Sequence, residues 1–172
     1  ADGTEFSAPI TVARMPESRL TDIHVTLEGL RIQNPGEMAG VGVAFKLAAA
    51  IEGEQETLLD QYCDFLCLGT VADVMPRTGE NRTMVARGLK SLENPRRVGI
   101  AALMAECSVQ KGPVTAGTIG YTLAPRINAA GRMGEVGIAT ELFLTHDAGR
   151  AVELAGGLCR LNRRRPGVVR RI

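Results

Sequence analysis

The sequence contains no tryptophan, two tyrosines and four phenylalanines in 172 residues. Without large rings, a core has to be assembled from Ala, Val, Leu, Ile and Met. Such small side chains suit close helix contacts better than the thick interior of a β-sandwich. Histidine is nearly missing: His24 and His146 are the only two, and they are far apart. No apolar run reaches the ~18 residues that a membrane span needs, and no secretory leader is visible, so no membrane partner is expected. None of Cys63, Cys67, Cys107 and Cys159 forms a Cys-x-x-Cys pair or a local zinc spacing. Cys63 and Cys67 stand one helical turn apart in an apolar run, and we read them as buried free thiols of a reducing cytoplasm. Excess charge is missing as well. The net charge of +1 says nothing about partners. Residues 160–171 nevertheless hold six arginines and no acid, a pattern of a solvated face or, less commonly, of a nucleic-acid contact.

What is present is 45% hydrophobic residues, enough to bury the core of one domain. The chain opens on Ala1 rather than Met and closes at Ile172 inside the basic stretch, so we expect an internal segment of a longer protein. Residues 1–34 read as an N-terminal lead without periodicity, except that Ile23, Val25, Leu27, Leu30 and Ile32 suggest one or two short strands. After the Asn34-Pro35-Gly36 turn, residues 38–51 are apolar on every side except Lys46. That pattern predicts a fully buried helix in which Gly40 and Gly42 admit a neighbouring backbone. Residues 57–75 keep helical spacing as far as Gly69, and residues 80–92 are amphipathic with Met84, Val85, Leu89 and Leu92 inward. Asn94-Pro95 predicts the start of a further helix through Met104. Thr115 is placed to cap a helix ending at Leu123. Residues 131–137 read as a loop, residues 138–144 and 147–162 as helices, and Thr145 or Asp147 as the cap of the last. The fold class expected is mainly α, with few or no strands.

Two stretches carry chemistry. In LGTVADVMPRTGENR, residues 68–82, Asp73 is the only acid between Phe65 and Pro76. An ionised carboxylate left unpaired in an apolar setting costs several kcal/mol. Asp73 therefore has to cap a helix, form an ion pair or hold a metal. In LAPRINAAGRMG, residues 123–134, Arg126 and Arg132 flank Asn128 and small alanines. A guanidinium fork grips phosphate well, and it equally fixes a loop by donating to carbonyls. The residues alone leave both alternatives open.

Together, GVGVAFKLA from Gly40, LGTVADVMP (68–76), GENR (79–82) and APRINAAGRMG (124–134) resemble the RecJ family of the Asp-His-His phosphoesterase superfamily, in order and spacing, over residues 35–163. The resemblance implies that residues 35–145 are the helical part of an α/β phosphoesterase core. Residues 146–172 would then begin a connecting helix toward a further domain. It implies a parent enzyme that degrades single-stranded DNA from the 5′ end in DNA repair and recombination, using Mn²⁺ or Mg²⁺. It assigns Asp73 as a metal ligand and catalytic residue, and Arg126, Asn128 and Arg132 as DNA-backbone contacts. The family's Asp-x-Asp and Asp-His-His motifs and its Gly-Gly-Gly-His domain are absent here. Neither histidine is expected to be a ligand, and Pro166 should interrupt the last helix. A lone Asp73 should hold metal weakly, so the chain alone is expected to be inert. The competing readings are another Asp-His-His phosphoesterase acting on oligonucleotides or cyclic dinucleotides, and a non-catalytic nucleic-acid-binding module.

Overall fold

The computed structural model describes residues 38–110 and 112–164 and, before them, the backbone of four short strands. These are β1 (Thr4–Glu5), β2 (Ile10–Ala13), β3 (Asp22–Val25) and β4 (Arg31–Ile32). β2 and β3 pair antiparallel with Ile10 opposite Val25, and β1 pairs with β4. The two strands expected near residues 23–32 are present. Their partners β2 and β1 fall earlier in the N-terminal lead.

The rest is helical among the described residues: α1 (Gly40–Glu52), α2 (Gln55–Ala72), α3 (Gly79–Glu93), α4 (Val98–Glu106), α5 (Ala124–Arg132), α6 (Val136–Leu144) and α7 (Ala148–Arg164). A π-helical segment, Thr118–Leu123, runs directly into α5. This matches the mainly α class expected. The basic tail beyond Arg164, with Pro166, lies outside the described residues.

α2 is the spine. One side buries Leu58, Leu59, Cys63 and Leu66 against Phe45 of α1 and Met84 of α3. Its C-terminal half sends Cys67 and Leu68 into a larger core with Leu92, Ile100, Leu103, Ile119, Leu142 and Leu158. Full burial of each such aliphatic side chain stabilises the fold by ~1.5–3 kcal/mol before entropy is counted. Small residues set the helix spacing, as the composition suggested, though not at the expected glycines. A Cβ on Gly40 would meet nothing within 4 Å, and one on Gly42 only its neighbour Met38. A Cβ on Gly88 would instead lie 2.2 Å from the Cys63 carbonyl oxygen, so this glycine is what lets α3 touch the α2 backbone. α1 is not buried all round either: Phe45 and Ala49 face inward, while Ile51 is 52% exposed.

Two local expectations change. Asn94 closes α3 by donating its N–H to the Ser91 carbonyl, and α4 starts only after Arg97, whose guanidinium is committed elsewhere. The stretch read as a loop after Gly131 is mostly helix, and only residues 133–135 separate α5 from α6. Pro125 falls where a helix is already running, because the π-helical segment leads directly into α5, and Gly134 takes the left-handed position that ends α5 (φ 75°). The caps fare better. Thr115 Oγ1 accepts the Thr118 N–H at 3.2 Å, and Asp147 Oδ1 accepts the Arg150 N–H at 2.7 Å.

Candidate functional site

α2 ends in a Schellman turn. The Val74 N–H donates to the Val71 carbonyl (3.1 Å) and the Met75 N–H to the Thr70 carbonyl (3.1 Å), which fixes Asp73 as the residue that caps the helix C-terminus. The left-handed position of such a turn usually belongs to glycine. Here Val74 occupies it, at φ 56° and 87% exposed. A β-branched residue in that region costs ~1–3 kcal/mol. Strain of this kind collects at functional sites, and this instance immediately follows Asp73.

Asp73 is exposed. The desolvation argument made for it therefore fails; the buried carboxylate is its neighbour Asp64, at 4% exposure. Asp64 Oδ2 accepts from Arg97 Nε at 3.0 Å, and Oδ1 accepts the Phe65 N–H at 2.8 Å. Arg97 in turn donates to the Gln61 carbonyl (2.9 Å) and lies 4.3 Å from the centre of the Phe65 ring. Asp64 sits in the same apolar run as Asp73. Helical spacing from Leu68 puts Asp64 on a buried face, but spacing from Leu66 does the same for Asp73, so periodicity alone does not separate the two.

Asp73 opens into a cavity of about 440 Å³ that it shares with Asn128 of α5. The floor is apolar, with Leu68 and Ala72 from α2 and Phe143 from α6. Phe65 and Phe143 meet edge to face there at 5.3 Å. Of the three substrate candidates, only Asn128 lines this cavity. Two residues are a turn of about 200° on a helix, so Arg126 points away from Asn128, whereas Arg132, four residues on, shares its face. Arg126 Nη1 donates to the Thr122 carbonyl at 2.8 Å and the Tyr121 carbonyl at 3.3 Å. It thereby supplies donors to a turn where Pro125 has no N–H. Arg132 is exposed in the last turn of α5.

The other conspicuous blocks act structurally. Asn81 is buried and donates to the Pro76 carbonyl at 2.8 Å, pinning the chain beyond Asp73. Glu80 beside it pairs with Lys46 of α1, so the first and third motif blocks meet. His146 is exposed and does not line the Asp73 cavity; the side chain of His24 lies outside the described residues. Cys63 and Cys67 are buried free thiols. Burial, then the neighbouring Cys63 and Asp64, push the Cys67 thiol up to about 12.

Divalent Mn²⁺ or Mg²⁺ requires several oxygen or imidazole ligands. Among the described residues, no three His, Cys, Asp or Glu side chains cluster in a way that could hold a metal. Asp73 is the only acid lining the cavity. These residues do not by themselves fit a complete metal centre. No helix of the described residues is long and apolar enough to cross a membrane.

No family model matches the sequence. Individual proteins do match. The chain is 40% identical over 133 residues to the single-stranded-DNA-specific exonuclease RecJ of Bacillus subtilis, covering 77% of this chain and 16% of that protein. It is 43% identical over 129 residues to RecJ of Thermus thermophilus (73% and 19%) and 33% identical over 141 residues to RecJ of Escherichia coli (74% and 24%). A crystal structure of RecJ in complex with Mn²⁺ from Thermus thermophilus superimposes with a TM-score of 0.64 at 40% identity, over 74% of this chain and 19% of that one. The chain thus spans between a sixth and a quarter of the length of these curated relatives, and it is homologous to one segment of the RecJ family.

Proposed function

We propose that this chain is a segment of a RecJ-like exonuclease that degrades single-stranded DNA from the 5′ end in DNA repair and recombination. Asp73 contributes one ligand to a Mn²⁺ or Mg²⁺ ion, and the remaining ligands come from outside the described residues. Such an ion would supply an activated water and offset charge on the leaving oxygen. Asn128 and Arg132 lie on the DNA side, and Arg126 acts by holding the turn before them. By itself the chain is inactive, because one carboxylate does not retain a hydrated divalent ion.

The observation that carries this reading is the shared cavity of Asp73 and Asn128, one from each of the two motif blocks. A carboxylate beside a neutral amide and an apolar floor suits a metal-bound phosphodiester, whereas an ion pair would place a cation there.

A segment exchange tests it. The aligned stretch of Thermus thermophilus RecJ is replaced by residues 35–163 of this chain, and 5′-labelled single strands are incubated with Mn²⁺. The hybrid should degrade them, and its Asp73→Asn form should lose about 100-fold or more. A hybrid that is fully active with Asn at position 73 refutes the metal assignment. Preference for dinucleotides over long strands would favour another phosphoesterase activity instead.

A further inference from the structure

Where the chain leaving α2 meets the π-helical segment lies a second groove, of about 500 Å³. Val71 and residues 74–77 line it from the α2 side, and residues 116–117, Gly120 and Tyr121 from the π-helical side. We propose that this groove holds a nucleotide of a single strand, with the base stacked on Tyr121 and the backbone phosphate on Arg77. The proposal rests on the nuclease reading and names a contact surface for its substrate.

Tyr121 carries the argument. A tyrosine normally gains by burying 150–250 Å², yet this one is 86% exposed in a well-packed helix. The π-helical segment turns it outward, while Ile119 and Leu123 on either side are 0% and 1% exposed. Such widened turns recur at functional sites. A Cβ on Gly120 would meet only Val71, at 4.0 Å, so the floor beside the ring is open. Across the groove, Val74 is held outward in its strained conformation. Arg77 is exposed and pairs with no acid among the described residues, and no acid lines the groove. An exposed ring, an uncommitted guanidinium and a groove lined otherwise by small and apolar residues are the elements of single-strand binding. The positive charge of Arg77, with no acid beside it in the groove, complements a backbone phosphate. Seven residues of helix separate Tyr121 from Asn128, ~10 Å along the axis, so a strand passing the Asp73 cavity reaches the groove within a few nucleotides.

The chain has two tyrosines and no tryptophan, which makes the test direct. In a Tyr62→Phe background only Tyr121 emits. This form is titrated with (dT)12 at low salt, without metal, following tyrosine emission and the anisotropy of end-labelled DNA. Quenching should saturate together with binding. Tyr121→Ala should weaken binding by about 5- to 100-fold and Tyr121→Phe by no more than about twofold. Arg77→Ala should lower the salt slope by about 0.7. Binding without quenching, equal affinity of the Tyr121→Ala form, or no binding of (dT)12 by the parent chain each overturns the proposal. None of these readouts depends on metal, so they fail or hold separately from the Asp73→Asn result.

Discussion

Asp73 and Asn128 line one cavity although 55 positions separate them, because the end of α2 and the middle of α5 pack side by side. Their neighbour Arg126 is excluded from it and spent on the Thr122 and Tyr121 carbonyls. The two substitutions should therefore separate. Arg126→Ala should lower stability by about 1–2 kcal/mol, since charged hydrogen bonds to carbonyls are lost. Asn128→Ala, at an exposed position, should leave the urea midpoint within about 0.5 kcal/mol of the parent. In the hybrid nuclease it should lower kcat/KM instead. Equal midpoints for both variants would contradict the division.

Val74 gives a prediction of opposite sign. Val74→Gly removes the left-handed strain and sacrifices little burial, because the side chain is 87% exposed. Glycine's greater freedom when unfolded takes back part of the gain. A net increase of about 0.5–1 kcal/mol is expected in urea unfolding. A loss of stability would mean that the valine makes a contact that the turn geometry does not reveal.

The helices were legible because their apolar spacing is strong: α3 buries Met84, Val85 and Leu92 where the sequence placed them. The route around Pro125 was not legible. Proline and nearby glycines signal a break, but the π-helical segment and Arg126 absorb the missing donor and the helix continues. At Asp73 the expectation of a carboxylate buried among apolar neighbours does not hold. Its apolar neighbours Phe65, Leu68 and Ala72 line the same cavity, and the carboxylate stays exposed because it stands at the helix end where that cavity opens. Burial depends on what packs over a residue, so the penalty falls on Asp64, which Arg97 covers and pairs.

Asp64 and Arg97 join α2 to the residue before α4 at 3.0 Å, with the carboxylate buried and the guanidinium partly exposed. Removing one partner strands the other, and Arg97→Ala should cost about 3 kcal/mol. Lysine should not restore it. The guanidinium also reaches the Gln61 carbonyl and lies over the Phe65 ring, a geometry that a single ammonium cannot reproduce. An Arg97→Lys form with the parent's urea midpoint would show that charge alone is enough.

Alkaline stability follows from Cys67. Its thiol ionises near 9.0 when unfolded but only at about 12 when folded, mainly because of burial. The folded state thus keeps a proton that the unfolded chain releases. The stabilising difference is fully present below about pH 9 and is lost progressively as pH rises toward 12. Thermal midpoints should fall across that window in reducing buffer. Cys67→Ala removes a fully buried sulfur, so it should start from a lower midpoint at pH 7, but its decline above pH 9 should be shallower. Cys107, also pushed up to about 12 by burial and by Cys159, contributes in the same direction. The Cys67→Ala, Cys107→Ala double variant should be flatter still. Parallel pH profiles for all three proteins would show that the thiols stay out of the alkaline transition.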